Sequence, residues 1–194
     1  QRDVIYGKRK HALFGERLQV DINNSFYDLC EELITNAQQN RDYDTFKLDV
    51  IRYFTLDTAI TQEELLRDNT DRLVEKLFDE AQAVYKRKME NMVKSVLPVL
   101  QNIRDTRGES VKMVAIPFGD GRKGVNILVN LDDTLQNQGK DIVGQFEKSI
   151  TLALLDEAWK HHLRAMDDLK TEVQLASYEQ KDPLVIYKKE AFNL

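Results

Sequence analysis

Residues 71–103 read DRLVEKLFDEAQAVYKRKMENMVKSVLPVLQNI, and this stretch decides the fold class. Its apolar residues fall at Leu73, Val74, Leu77, Phe78, Ala81, Val84, Tyr85, Met89, Met92 and Val96. Steps of three and four put them on one face of a helix with about 3.6 residues per turn. Pro98 lies near the end of the pattern and predicts a kink there. The composition suits long elements. Eight glycines and three prolines among 194 residues leave few breakers. With 31% charged and 8% aromatic residues, this argues against an all-β sandwich, which needs many turns. Collagen-like and low-complexity classes are excluded.

Upstream, Thr61-Gln62-Glu63-Glu64 is a capping box, and a helix is predicted over 42–54 with Phe46, Val50, Ile51 and Phe54 on one side. Ser25-Phe26-Tyr27-Asp28 fits a second capping box that starts a helix running to about Gln38. Asn23-Asn24-Ser25 is also a glycosylation sequon, but capping is the favoured reading. Residues 2–18 read as a cation-rich helix carrying Val4, Ile5, Leu13, Phe14 and Leu18. The chain opens at Gln1 inside that pattern, with no methionine and no polar cap, as expected of a piece of a longer chain.

Downstream the character changes. Val111–Ile116 and Val125–Leu131 are β-branched runs on either side of Gly119-Asp120-Gly121-Arg122-Lys123-Gly124, which reads as a β-hairpin. Ile142, Phe146, Ile150, Leu152, Leu155, Trp159, Leu163, Met166, Leu169 and Val173 then restore the helical period. It stops after Leu175 and resumes at Asp182, an N-cap, and Pro183, a first helical residue. Two helices joined by a loop at about 174–181 form an αα-hairpin. The predicted class is mainly α, with long helices, one αα-hairpin and one inserted β-hairpin at about residues 110–131.

The chemistry this sequence can carry is narrow. Lys and Arg number 28 against 33 Asp and Glu, for a net charge of −5, so no nucleic-acid partner is expected. The one cysteine, Cys30, excludes an internal disulfide and a cysteine-built zinc site, and points to a reducing cytosol. No apolar run reaches the ~18–20 residues of a membrane helix. Gly119-x-Gly121-x-x-Gly124 matches a dinucleotide fingerprint, but that motif needs a helix after it, and here a strand follows. No phosphate-loop sequence is present. His161-His162 stand beside Asp156, Glu157 and Asp167, too few convergent ligands for zinc. Asp167 and Asp168 point about 100° apart and cannot pair as acid and base on one face. Ser25, Ser95, Ser110, Ser149 and Ser177 lack the His and acid of a triad. Neither a metal nor a cofactor is therefore expected in this chain. The Trp159 and Met166 stripe reads as core, or alternatively as a partner-binding face of a stand-alone helical adaptor.

The last third also carries a longer pattern. Leu155-Asp-Glu-Ala-Trp159-Lys-His-His-Leu163-Arg-Ala-Met166-Asp resembles a segment of SecA, the bacterial preprotein translocase motor. So do the loop Tyr178-Glu-Gln180-Lys181-Asp182-Pro183, the run Tyr187-Lys-Lys-Glu-Ala-Phe192, and, at the other end, Gln1-Arg-Asp-Val-Ile-Tyr6 with Arg9. The resemblance implies three parts. Residues 1–18 belong to a long scaffold helix, 19–138 to a helical wing domain with the β-hairpin inserted, and 139–194 to a two-helix finger. The hairpin region, 105–131, is longer than the wing connection in typical family members. ATP and magnesium are implied for motor domains upstream and not for this chain. The implied partners are the SecY channel complex, unfolded preprotein and the parent's own motor domains. The implied location is the bacterial cytoplasm, peripheral to the inner membrane. Tyr178, with Gln180 and Lys181, would contact channel and preprotein at the finger tip, while Trp159, Leu163, Met166, Asp182 and Pro183 would hold the finger's structure.

Overall fold

The computed structural model describes residues 2–15, 17–119, 121, 124–176 and 182–193. The elements in chain order are α1 (Arg2–Phe14), α2 (Leu18–Asn40), α3 (Tyr43–Phe54), α4 (Gln62–Arg67), α5 (Thr70–Arg107), β1 (Met113–Gly119), β2 (Gly124–Asn130), α6 (Leu131–Gln136), α7 (Lys140–Ala176) and α8 (Pro183–Asn193). The fold is mainly helical with one two-stranded sheet, as the sequence predicts. The chain divides into two compact units. One comprises Arg17–Ile116 and Ile127–Gln145; the other comprises Gln1–Glu16, Pro117–Asn126 and Phe146–Leu194.

The first unit is built on the α2–α5 pair. Cys30, Leu33, Ile34 and Ala37 recur at steps of three and four along α2, and Leu73, Val74, Leu77 and Ala81 do so along α5. Phe46, Val50 and Phe54 of α3 close the same core with Ile60 and Leu65. Full burial of a side chain such as Ile34 or Leu77 contributes about 1.5–3 kcal/mol. Local capping sets the helix starts. The Asp42 carboxylate accepts from Thr45 N–H at 3.0 Å, and that bond is the chief cause holding its carboxyl below the usual range. Thr61 and Glu64 form the reciprocal capping box. Lys76 donates to the same Glu64 at 2.8 Å, and with the Thr61 bonds it lowers the Glu64 pKa to about 2. Gln38 joins the elements from a half-buried position. Its amide donates to Leu65 O (3.0 Å) and Asp68 O (3.1 Å) at the end of α4 and accepts from Thr70 Oγ1 (2.6 Å) at the start of α5.

Two local expectations are corrected. Ser25 caps nothing: α2 runs continuously from Leu18, and the Ser25 hydroxyl donates to Asp21 O at 2.9 Å inside the helix. Buried Leu18 supplies apolar surface that rewards an earlier start, overriding the local motif. The helix predicted over 2–18 ends at Phe14, because Gly15 (φ 73°) and Arg17 (φ 63°) adopt the left-handed conformation that stops a helix. Pro98 lies inside α5, which continues to Arg107.

In the second unit α1 lies with the Phe146–Ala176 part of α7, the hairpin tip and α8. The α7 stripe follows Leu152, Leu155, Trp159, His162, Met166, Leu169 and Val173, alternating steps of three and four. That is a 3.5-residue seam, and it leaves Leu163 outside: Leu163 is 45% exposed, and His162 takes the place expected for it.

Candidate functional site

The geometry that joins the two ends of the chain is the α1–α7 contact. Arg9 Nε donates to Asp156 Oδ1 at 2.8 Å and Arg9 Nη2 to Asp156 Oδ2 at 3.1 Å, a bidentate fork on a carboxylate. The Arg9 hydrogen bond holds the Asp156 carboxyl below its usual range, and the same bond raises Arg9. Both side chains are about two-fifths exposed, so the fork sets register more than it stabilises. One turn away on each helix, Tyr6 and Trp159 meet edge to face, with ring centroids 6.4 Å apart and planes at 65°. His162 stacks on the indole with ring centroids 5.3 Å apart. Trp159 is half-buried rather than enclosed, because a cleft of about 240 Å³ lies beside it, lined by Ile5, Leu155, Ala158 and His162.

A second cleft, about 710 Å³, lies where the hairpin tip meets α7. Phe118 and Phe146 pack at its base with centroids 5.0 Å apart. Val125, Ile150, Ala153, Leu154 and Glu157 line it.

The residues expected at the finger tip, Tyr178, Gln180 and Lys181, lie outside the described residues. Their flank is clear. Asp182 Oδ1 accepts from Leu184 N–H at 2.9 Å and Asp182 O accepts from Ile186 N–H at 3.3 Å, with Pro183 the first residue of α8. Asp182 is thus the N-cap that its sequence suggests. Met166 is half-buried on the α7 stripe.

Among the described residues the remaining candidates form no catalytic arrangement, and Ser177 lies outside them. Gly119 closes β1 and Gly124 opens β2, with Gly121 at φ 86° in the turn between, so the glycine motif turns a hairpin and starts no helix. Ser25, Ser95 and Ser110 donate to Asp21 O, Asn91 O and Arg107 O within their own helices or turn. No group of three His, Cys, Asp or Glu side chains converges among the described residues. Burial pushes the Cys30 thiol up to about 12, far from a nucleophile's range. No described helix is long and apolar enough to cross a membrane.

Sequence reasoning misses Arg9–Asp156 and Phe118–Phe146. The partners in the first pair lie 147 residues apart, and no local pattern announces such a pair. A cation on the apolar-flanked side of α1 and an acid at the edge of the α7 stripe were the only signals.

The SecA wing and scaffold domain model matches residues 1–194. The chain is 40% identical over its full length to protein translocase subunit SecA of Christiangramia forsetii, covering 17% of that protein. It is 43% identical over its full length to the SecA subunits of Porphyromonas gingivalis W83 and Bacteroides fragilis, covering 18% and 17% of them. The chain therefore spans under a fifth of the length of these relatives. No solved structure matches it.

Proposed function

The chain belongs to the SecA wing and scaffold family, and from that premise we propose that it is the mechanical, non-catalytic part of an ATP-driven preprotein translocase. In this reading residues 1–18 are part of a long scaffold helix, 19–138 form the wing, and 139–194 form a two-helix finger. Motor domains elsewhere in the parent hold ATP and magnesium and hydrolyse the nucleotide. Their displacement reaches the finger through α1, and the finger acts at the cytoplasmic mouth of the SecY channel on unfolded preprotein. The protein works at the cytoplasmic face of the bacterial inner membrane.

The observation that carries this reading is the α1–α7 contact. The Arg9–Asp156 fork and the Tyr6–Trp159 pair fix the first helix of the chain to the finger's first helix at two adjacent turns. A directional fork and a ring edge resist sliding as well as separation, which a strut transmitting force requires. The grouping of Gln1–Glu16 with Phe146–Leu194 in one unit supports it further.

The test is Tyr178→Ala in the full-length parent. Preprotein transport should fall while basal ATPase stays at the wild-type rate, because the nucleotide sites lie elsewhere. Stability should change by no more than about 0.5 kcal/mol, as for most surface substitutions. Phe at this position should retain more transport than Ala, because contact with varied unfolded sequence demands bulk rather than one hydrogen bond. Normal transport by the Ala variant would sink the tip-contact role.

A further inference from the structure

The translocase reading leaves the β-hairpin without a task. Among the described residues its sheet holds two strands, so each strand has one paired and one open edge. Leu131 N–H donates to Lys112 O at 2.9 Å and continues the ladder. Counting inward from that pair sets Ile116 opposite Ile127 and Pro117 opposite Asn126. The burial pattern agrees: Ile116, Ile127 and Val129 are buried, while Ala115, Pro117, Asn126 and Leu128 are exposed.

In an antiparallel ladder every second pair turns its N–H and C=O away from the partner strand. Here those residues are Met113, Ala115, Pro117 and Gly119 on β1, and Gly124, Asn126, Leu128 and Asn130 on β2. The two open edges differ. Pro117 removes an outward donor from β1 and blunts that edge without breaking the ladder. The strand β2, GVNILVN, carries no charge and no proline, and Leu128 is 62% exposed. Among the described residues, no backbone hydrogen bond from outside the hairpin reaches Gly124, Asn126 or Leu128.

We propose that the open edge of β2 receives an extended segment of another, unfolded polypeptide by strand addition. Only an extended backbone satisfies a row of alternating N–H and C=O groups at strand spacing, so a folded surface or a small molecule does not fit it. A strand laid along β2 turns alternate side chains to the same side as Val125, which lines the apolar cleft with Phe118, Phe146, Ile150 and Leu154. The segment therefore alternates apolar with small polar residues. The chain's net charge of −5 favours a neutral or cationic segment over an acidic one. This site rests on the hairpin's own geometry and stands or falls apart from the finger reading.

The probe is a fluorescein-labelled peptide, KTVTITVK, titrated against the full-length protein by anisotropy. Saturable binding is expected, and the same peptide N-methylated at its six central residues should not bind. Asn126→Pro removes one outward donor, as Pro117 does on β1, and should weaken binding at least tenfold with the circular dichroism spectrum unchanged. Should Asn126→Pro disturb the spectrum, Leu128→Lys, which leaves the backbone alone and charges the edge, decides the matter and should weaken binding at least threefold. Absent binding, equal binding of the N-methylated peptide, or full binding by a well-folded edge variant overturns the proposal. So does self-association that Leu128→Lys dissolves and the peptide does not displace, because the occupant is then a second copy.

Discussion

Trp159 shows how a single residue divides its role between packing and contact. Its indole is half-buried, with Tyr6 on its edge, His162 on its face and open cleft beside it. A fully buried tryptophan costs roughly 3–5 kcal/mol on truncation, and half that burial scales to about 2 kcal/mol for Trp159→Ala. Urea unfolding at pH 7 measures it, and a loss below about 0.5 kcal/mol would show that the ring faces a partner and not α1. Cys30 makes the opposite case. It is fully buried in the α2–α5 core, and desolvation alone raises its pKa to about 12. The unfolded thiol ionises near pH 8.5–9 while the folded one stays protonated, so the thiol's contribution is constant below that range. Stability then falls as pH rises from about 9 towards 12, where the unfolded state binds fewer protons. A Cys30→Ala variant should lose that alkaline slope. In the native protein the thiol should resist a disulfide reagent at pH 8 and react at once in 6 M guanidinium. Rapid native labelling would place Cys30 at a surface.

At the scale of elements, the turn from α6 into α7 depends on one glycine. Gly139 has φ 77°, and a Cβ there would stand 2.7 Å from Val93 Cγ1 and 3.2 Å from Ile142 Cδ1. Gly139→Ala therefore combines backbone strain with overpacking, and should cost about 2 kcal/mol by thermal or urea unfolding. Gly7→Ala, in open space within α1, supplies the control and should be neutral or slightly stabilising. The elements themselves were largely legible in the sequence because their signals are local. The period of α5, the caps Thr61 and Asp182, and the β-branched runs around glycines each follow from a few neighbouring residues. Two of the misreadings share a tertiary cause. Leu18 extends α2 past the Ser25 motif, and the α7 stripe tracks 3.5 residues per turn, so Leu163 turns outward and His162 inward. The Arg9–Asp156 fork was invisible for the same reason, since nothing within either helix refers to the other.

At the scale of the whole molecule, the proposed translocase reading asks whether α1 and α7 move as one body during transport. The unit of Arg17–Ile116 and Ile127–Gln145 keeps its own apolar interior and its own hydrogen bonds, from Gln38 to Leu65 and from Thr58 to Glu80. Its stability should not depend on Arg9, which belongs to the other unit. Charge reversal separates coupling from folding. Arg9→Glu puts two carboxylates at the fork, and Asp156→Arg puts two guanidinium groups there. Each single reversal in the full-length protein should lower transport per ATP hydrolysed several-fold, while basal ATPase stays near wild type. Because both side chains are about two-fifths exposed, neither change should unfold the protein at neutral pH. The double variant, Arg9→Glu with Asp156→Arg, restores opposite charges in swapped places and should recover most of the lost coupling. Glutamate and arginine cannot reproduce the original fork geometry in full, so recovery should be incomplete. The wild-type fork also weakens in acid. Arg9 holds Asp156 below its usual range, so the pair persists above about pH 4 and is lost as pH falls through the lowered folded value. If either single reversal leaves transport per ATP unchanged, force reaches the finger by a route other than α1. If the double variant is no better than the singles, the fork matters for local packing and not for charge pairing.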